Sequence, residues 1–523
     1  MKKRWLLFLS LASVGILLIS TTSRPQASRE LGKRTKAISK TAATSWSNPV
    51  NISNTVFDSE SPFLALDDNG KAYVTWVDWT GGYSRNMMFN TNVSGSWGAA
   101  KIGAPLIYTA IDDVGFPTIA ASPLGGSASV AYHDGDFSRY LMSIFGFEYN
   151  NGSLGTSHVI TNDAPVACSY VTMAVSPTTK NLFMIFMADV AEGFQLALKY
   201  QDANTKAWTA PALISANMAQ SNYLPQMCID AKGTAHVVWI TRPAGAVVWY
   251  SKNTTPTNPN TWTAPFQISP TTGLDWTYPR VAADADSDAY VVWHDLTTGN
   301  SEVFLRKTVN GQWQTAENIS QTPLLSETGT VAVHGTTKEI YIAWHERVVE
   351  AQNWDVLMRT YEEEYLNGPK KWSAVVNFSN SPSYSGEPCL RATPEGDIHL
   401  VYFETVGNNR EIMHSYKEEI KVYPPTSLNL ATAIDKILFY SEKVNTLTFS
   451  MNSQNQADYL DSYKVYRKKV GESDDQFQLL ATLNTSTFTY TDKHLSLTQK
   501  YVYAVTAVDK GGNESDKAAV TEK

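Results

Sequence analysis

The chain is 523 residues long, more than one compact domain of ordinary size, so one large repeat array with a smaller module is its natural organisation. Its composition is globular, 43% hydrophobic and 18% charged, and the formal charge of −8 comes with no polybasic stripe, which excludes nucleic acid as a partner. Three cysteines, Cys168, Cys228 and Cys389, are too few and too scattered for a disulfide framework or a metal knuckle, and read as buried thiols.

The first residues, "MKKRWLLFLSLASVGILLIS", set basic residues before an apolar run of about sixteen, the layout of a bacterial secretory leader and short for a spanning helix. This predicts a signal peptide or an uncleaved N-terminal anchor over 1–28, and a secreted, cell-surface or periplasmic protein. No later stretch is apolar enough to cross a membrane.

From there a single unit repeats. Strands ending "YVTWVD" (73–78), "SVAYHD" (129–134), "YVVWHD" (290–295), "YIAWHE" (341–346) and "LVYFE" (400–404) align on an aromatic marker. The marker falls at Trp76, Tyr132, Phe186, Trp239, Trp293, Trp344 and Tyr402, in steps of 56, 54, 53, 54, 51 and 58 residues. A second marker, Trp before Ile-Ser as in "WTAPALIS" (208–215) and "WTAPFQIS" (262–269), keeps the same period. Four short strands can be read in each unit and no helical periodicity, which predicts an all-β, seven-bladed β-propeller over 45–420. The seventh unit lacks a Trp strand, while a spare one, "WSNPVNIS" (46–53), precedes the first. The N-terminal strand is therefore expected to complete the last blade and close the ring.

After "KVYPPTS" the pattern shifts to short alternating strands. Residues 424–523 resemble a fibronectin type III β-sandwich, on Tyr501 opening "YVYAVTAVD" and "GGNES" at the following turn; Phe449 stands where that family keeps a core Trp.

In a propeller the acids that follow the aromatic marker, Asp78, Asp134, Asp295, Glu346 and Glu404, fall near one mouth of the central channel. They read either as a cation- or hydroxyl-binding ring or as acceptors for backbone N–H groups of their own loops. Residues that do not repeat are sharper clues. The innermost strands carry small residues, Ala65, Ala120, Ala174, Cys228, Ala282 and Ala332, and the seventh unit breaks the series with Arg391. Two residues nearer the mouth, where Thr is usual, the fifth carries Arg280, beside Asp275, Trp276 and Tyr278 of "GLDWTYP". His294 and His345 come from adjacent units, and His133 from the second. Buried arginines require anionic or hydrogen-bonding partners, either a ligand or those same acids. "DADSD" (284–288) has the alternating acids of a calcium loop without its Gly or distal Glu and reads as a turn, so no metal is expected. No Gly-x-Ser-x-Gly, HExxH or phosphate loop is present, and no cofactor is expected.

The repeated pattern of Pro, an apolar strand, Asp-x-x-Gly, the Trp-x-Asp strand and the Trp–Ile-Ser strand resembles the sialidase-like (BNR-repeat) superfamily of secreted propellers over about 46–418. The resemblance implies a propeller; it does not carry an activity. The turns "NVSGSW", "DANTKAW" and "VNGQW" keep the Trp of that family's Asp box but not the box itself. Arg280 and Arg391 supply two of a sialidase's three arginines, but no Tyr–Glu pair can be assigned and sialidases have six blades, so sialidase catalytic residues are not carried over. Two readings remain. One is a monomeric scaffold binding a polysaccharide or a surface protein at one mouth. The other is a uronate lyase or glycoside hydrolase. The resemblance to seven-bladed lyases would there give His294 or His345 as base, Tyr278 as acid and the arginines as uronate holders.

Overall fold

A computed structural model describes residues 46–523 except 82–83, 106–115, 137–140, 163–166, 216–217, 219, 244, 275, 349–352, 364–369, 419–421, 438, 456, 458 and 511–513. The leader assigned to 1–28 lies outside the described residues. No described helix is long and apolar enough to cross a membrane.

Among the described residues, seven antiparallel sheets of four or five strands follow one another along the chain. Their innermost strands are β1 (Asp58–Leu66), β2 (Thr118–Ala121), β3 (Cys168–Val175), β4 (Asn222–Ile229), β5 (Arg280–Ala283), β6 (Ser326–Val333) and β7 (Ser385–Ala392). Each contacts the next, and β7 contacts β1, so the inner strands form a closed ring. The second strand of each sheet is covered on both faces by neighbouring sheets, which is why it reads as an unbroken apolar run. Trp76, Trp239, Trp293 and Trp344 are at most 2% exposed there. Every marker Trp thus fills the space between two sheets.

The ring is sealed by the N-terminal segment. Val50–Asn51 pairs with Asn409–Lys417 in the seventh sheet, Val50 opposite His414 and Asn51 opposite Met413. Ile52 then donates its N–H to the Ile412 carbonyl at 2.8 Å and buries its side chain between the seventh and first sheets. The expected strand exchange is present, and it covers the edge of Asn409–Lys417 around Met413 and His414.

Residues 426–521 form two further antiparallel sheets, of three and four strands. They share one core built on Phe449, Tyr463, Tyr501, Tyr503 and Val505, and Phe449 packs edge-on against Tyr463 at 5.0 Å.

Candidate functional site

Three tiers of side chains line the channel, because residues two apart on a strand point to the same face. The deepest tier is the small-residue series ending in Arg391. Two residues nearer the mouth stand Phe63, Thr118, Thr172, Gln226, Arg280, Thr330 and Cys389. The threonines of this middle tier stitch sheets together: Thr118, Thr172 and Thr330 accept the N–H of Met173, Met227 and Leu390 at 3.2, 3.2 and 3.1 Å. Three positions that lack Thr, Phe63, Arg280 and Cys389, instead line one cavity of about 150 Å³ at the mouth.

The outermost tier is set by a repeated defect. In five inner strands the pairing register slips by one residue, between Glu60 and Phe63, Ser169 and Thr172, Tyr223 and Gln226, Glu327 and Thr330, and Gly386 and Cys389. At each slip one non-glycine residue takes a left-handed conformation: Ser61, Tyr170, Leu224, Thr328 and Glu387 have φ of 53, 46, 53, 48 and 51°. Such bulges re-aim a side chain at the cost of roughly 1 kcal/mol of local strain each. Ser61, Thr328 and Glu387 face the cavity, and Phe116 and Tyr278 join them there from the segments that enter the second and fifth sheets.

Arg280 is the polar centre of this cavity. Among the described residues its guanidinium has no hydrogen bond and no ion pair; it lies 5.1 Å over the Phe63 ring. It lines the cavity, and burial, reinforced by Arg391, pulls its pKa down to about 10, against the opposing pull of Cys389, Tyr278 and Glu387. Glu387 spends one carboxylate oxygen on the Ser61 N–H at 2.7 Å. Arg391, in the deepest tier, donates to the Leu390 carbonyl at 2.8 Å. Neither arginine is neutralised by the repeated acids.

The histidines stand one layer behind the mouth. His345 Nδ1 lies 3.0 Å from Thr328 Oγ1 and 3.4 Å from the Glu387 N–H, so it braces two cavity residues, while its Nε2 faces Glu327 at 3.7 Å. The hydrogen bond with His345 holds the Glu327 carboxyl below its ordinary range. His294 is buried, stacks on Tyr278 at 6.2 Å and 24°, and is kept neutral by burial, which pulls its pKa down to about 4. His133 likewise receives the Tyr170 N–H at 3.3 Å. Of the sequence candidates, Tyr278 and Arg280 therefore line the cavity, and His294 and His345 support it.

Other candidates stand away from this cavity. Asp78, Asp295 and Glu346 are no more than 3% exposed and accept the indole N–H of the Trp two residues earlier at 2.7, 2.7 and 2.9 Å. Asp134 accepts the Gly135 N–H at 2.8 Å and is buried, and Glu404 interacts with Tyr402 and Ser381. These acids anchor strands and do not line the cavity. Trp276 is half-buried against Tyr223, under the Arg242 guanidinium 3.9 Å from its ring, outside the cavity. Asp275 lies outside the described residues. Sequence reading missed Glu327, Glu387, Thr328 and Phe116, since a bulge shifts the count of residues along a strand by one.

No family model matches the chain, and no curated protein sequence matches it. Solved structures do. One is a polysaccharide lyase, PL25 ulvan lyase bound to -[GlcA(1-4)Rha3S]-, with 11% identity over 70% of this chain and 95% of that one, TM-score 0.50. A second PL25 ulvan lyase structure matches at 10% identity over 70% and 95%, TM-score 0.50. A Hadza microbial sialidase, Hz136, matches at 12% over 68% and 65%, TM-score 0.38. The likeness to the lyase is one of fold, and it makes this an all-β chain of the propeller kind.

Proposed function

We propose that this protein is a secreted or cell-surface, seven-bladed propeller that recognises an acidic polysaccharide at the channel mouth, with a fibronectin type III module over 424–523 as a spacer. Arg280 takes the anionic group of the sugar, and Phe116, Tyr278 and Phe63 supply apolar contact with its ring. The observation that carries the reading is the Arg280 guanidinium, unpaired among the described residues and opening onto a cavity. A desolvated cation without a counter-ion is costly, and an anionic ligand offsets that cost. The bound glucuronate-containing oligosaccharide of the ulvan lyase is compatible with the same ligand class, as a property of that protein.

Affinity electrophoresis in gels containing a glucuronate polymer tests it. Arg280→Gln loses a charge-assisted contact of about 1.5–3 kcal/mol, so affinity falls roughly 10- to 150-fold, while Arg280→Lys keeps the charge and loses less. Equal retardation of Arg280→Gln and wild type defeats the reading.

A second reading is favoured by the pairing of Tyr278 with a neutral His294 beside Arg280. In a lyase, Arg280 would neutralise the uronate carboxylate, and Tyr278, with the neutral His294 stacked behind it, would take the α-proton and return a proton to the leaving oxygen. Ultraviolet absorbance of an unsaturated uronate product separates the two: its appearance, and its loss in Tyr278→Phe, makes the protein a lyase.

A further inference from the structure

A second cavity lies at the opposite end of the inner strands, where the first and seventh sheets meet. It has a volume of about 550 Å³ and is lined from stretches at both ends of the ring's sequence, including Asn48, Asn69, Lys71, Trp97, Asp397 and Tyr416. Asn69 and Lys71 belong to the hairpin after β1 and Asp397 to the hairpin after β7, whereas the mouth residues stand at the other ends of those strands. Asn48 comes from the N-terminal segment that seals the ring, so the pocket exists only in the closed molecule.

Its wall is a rigid aromatic stack. Tyr416, 37% exposed, lies nearly parallel to His399 (5.6 Å, 24°) and His414 (5.9 Å, 18°). Trp97 meets His414 edge-on at 4.9 Å. His399 Nδ1 and His414 Nε2 are 3.0 Å apart, so each ring fixes the other. Burial keeps both imidazoles neutral, which makes the backing of Tyr416 uncharged.

The rim is polar and carries more negative than positive charge: Lys71, Asp397 and Glu418 line it, and the amides of Asn48 and Asn69 complete it. At Gly70, with φ of 73°, the backbone comes so close to Asp397 that an added Cβ would lie 3.4 Å from its carboxylate. An exposed aromatic face bordered by amide, carboxylate and ammonium groups matches a pyranose ring, whose C–H face stacks while its hydroxyls bond the rim. A flat apolar ligand would set carbon against the polar rim, and an anionic sugar would meet two carboxylates.

We infer that this seam pocket is a second carbohydrate site, separate from the mouth, and that it takes a neutral sugar stacked on Tyr416 with hydroxyls held by Asn48, Asn69, Lys71 and Asp397. The inference does not depend on the reading of the mouth.

The test is affinity electrophoresis of the full chain in gels of neutral polysaccharides (galactomannan, xyloglucan, mixed-linkage β-glucan), with the glucuronate polymer as comparison. At least one neutral polymer retards wild type. Tyr416→Ala weakens that retardation about tenfold and Lys71→Ala several-fold, and Arg280→Gln leaves it unchanged. Should circular dichroism show Tyr416→Ala unfolded, Lys71→Ala decides, because Asp67 holds the backbone N–H of Lys71 rather than its ammonium. Failure of all three neutral polymers to retard wild type overturns the inference, as does retention of wild-type affinity by a folded Tyr416→Ala, or by Lys71→Ala where that variant decides. Loss of neutral-polymer binding in Arg280→Gln would place the sugar at the mouth and overturn it equally.

Discussion

The indole N–H of Trp293 donates to the carboxylate of Asp295, two residues further along the same strand, at 2.7 Å. The same bond joins Trp76 to Asp78 and Trp344 to Glu346. Asp78 also accepts Ser59 at 2.7 Å and Glu346 accepts Ser326 at 2.9 Å, each from the inner strand of its own sheet. The repeated acid is a clamp between the first two strands of a sheet. Asp295→Ala strands a buried indole N–H and should cost about 1–3 kcal/mol of stability. Binding of polysaccharide at the mouth should be unaffected. Urea unfolding alongside gel retardation checks both halves, and a loss of binding in a fully folded variant would return the acid to the ligand.

The period of the repeat was legible because each unit must bury the same large aromatic between two sheets, so Trp or Tyr returns with the spacing of the sheets. Arg280 and Arg391 were legible for the converse reason, as charges where the ring wants Thr or Ala. The mouth was less so. Ser61, Tyr170, Leu224, Thr328 and Glu387 share a left-handed conformation but no chemical trait, and no glycine occupies that position. The seam pocket was invisible, since Asn48 and Tyr416 meet only through strand exchange between the two ends of the ring.

Stability should fall on acidification before ordinary carboxylates titrate. Burial pulls His294 and His399 down to about 4 and His414 to about 3. Between those values and the ordinary histidine pKa, the unfolded chain binds protons that the folded chain refuses. Stability is therefore complete above about pH 6.5 and is lost as pH falls toward 4, by up to about 1.4 kcal/mol per pH unit for each proton taken up. His399 and His414 share a hydrogen bond and count as one coupled unit. Asp78 and Glu346, raised by burial, act in the opposite sense and partly offset the slope. Urea midpoints across this range should drop for wild type and flatten in His294→Gln; an unchanged slope in that variant would contradict the assignment.

Closure of the ring should dominate resistance to unfolding. Ile52 is 2% exposed and packs with Leu64, Val74, Val401 and Ile412, so it belongs to the first and seventh sheets at once. Ile52→Ala should cost about 2–5 kcal/mol, the usual range for a buried aliphatic truncation. Deleting residues through 52 should expose the edge of Asn409–Lys417 and lead to self-association. Thermal unfolding and light scattering measure the two effects, and a truncated chain that stays monomeric with unchanged melting would show that the strand exchange does not hold the ring.

Lys338 sits where the acids of "DADSD" would hold a metal ion. Its ammonium lies 3.2, 2.8 and 3.5 Å from Asp284, Asp286 and Asp288, and these contacts push its pKa above the usual lysine value. The rest of the loop is an ordinary turn, with Asp284 accepting the N–H groups of Asp286 and Asp288 at 2.9 and 3.0 Å. A side chain from the sixth sheet thus supplies the positive charge that three converging carboxylates require, and ties that sheet to the fifth. Lys338→Met removes the charge and keeps the aliphatic stem, leaving three carboxylates repelling one another. The variant should melt lower than wild type in the presence of a chelator, and calcium should restore part of the loss. Wild type should be indifferent to calcium, since the tethered ammonium already fills the place. A Lys338→Met variant with wild-type melting in chelator would mean that the cluster is held by its backbone bonds alone.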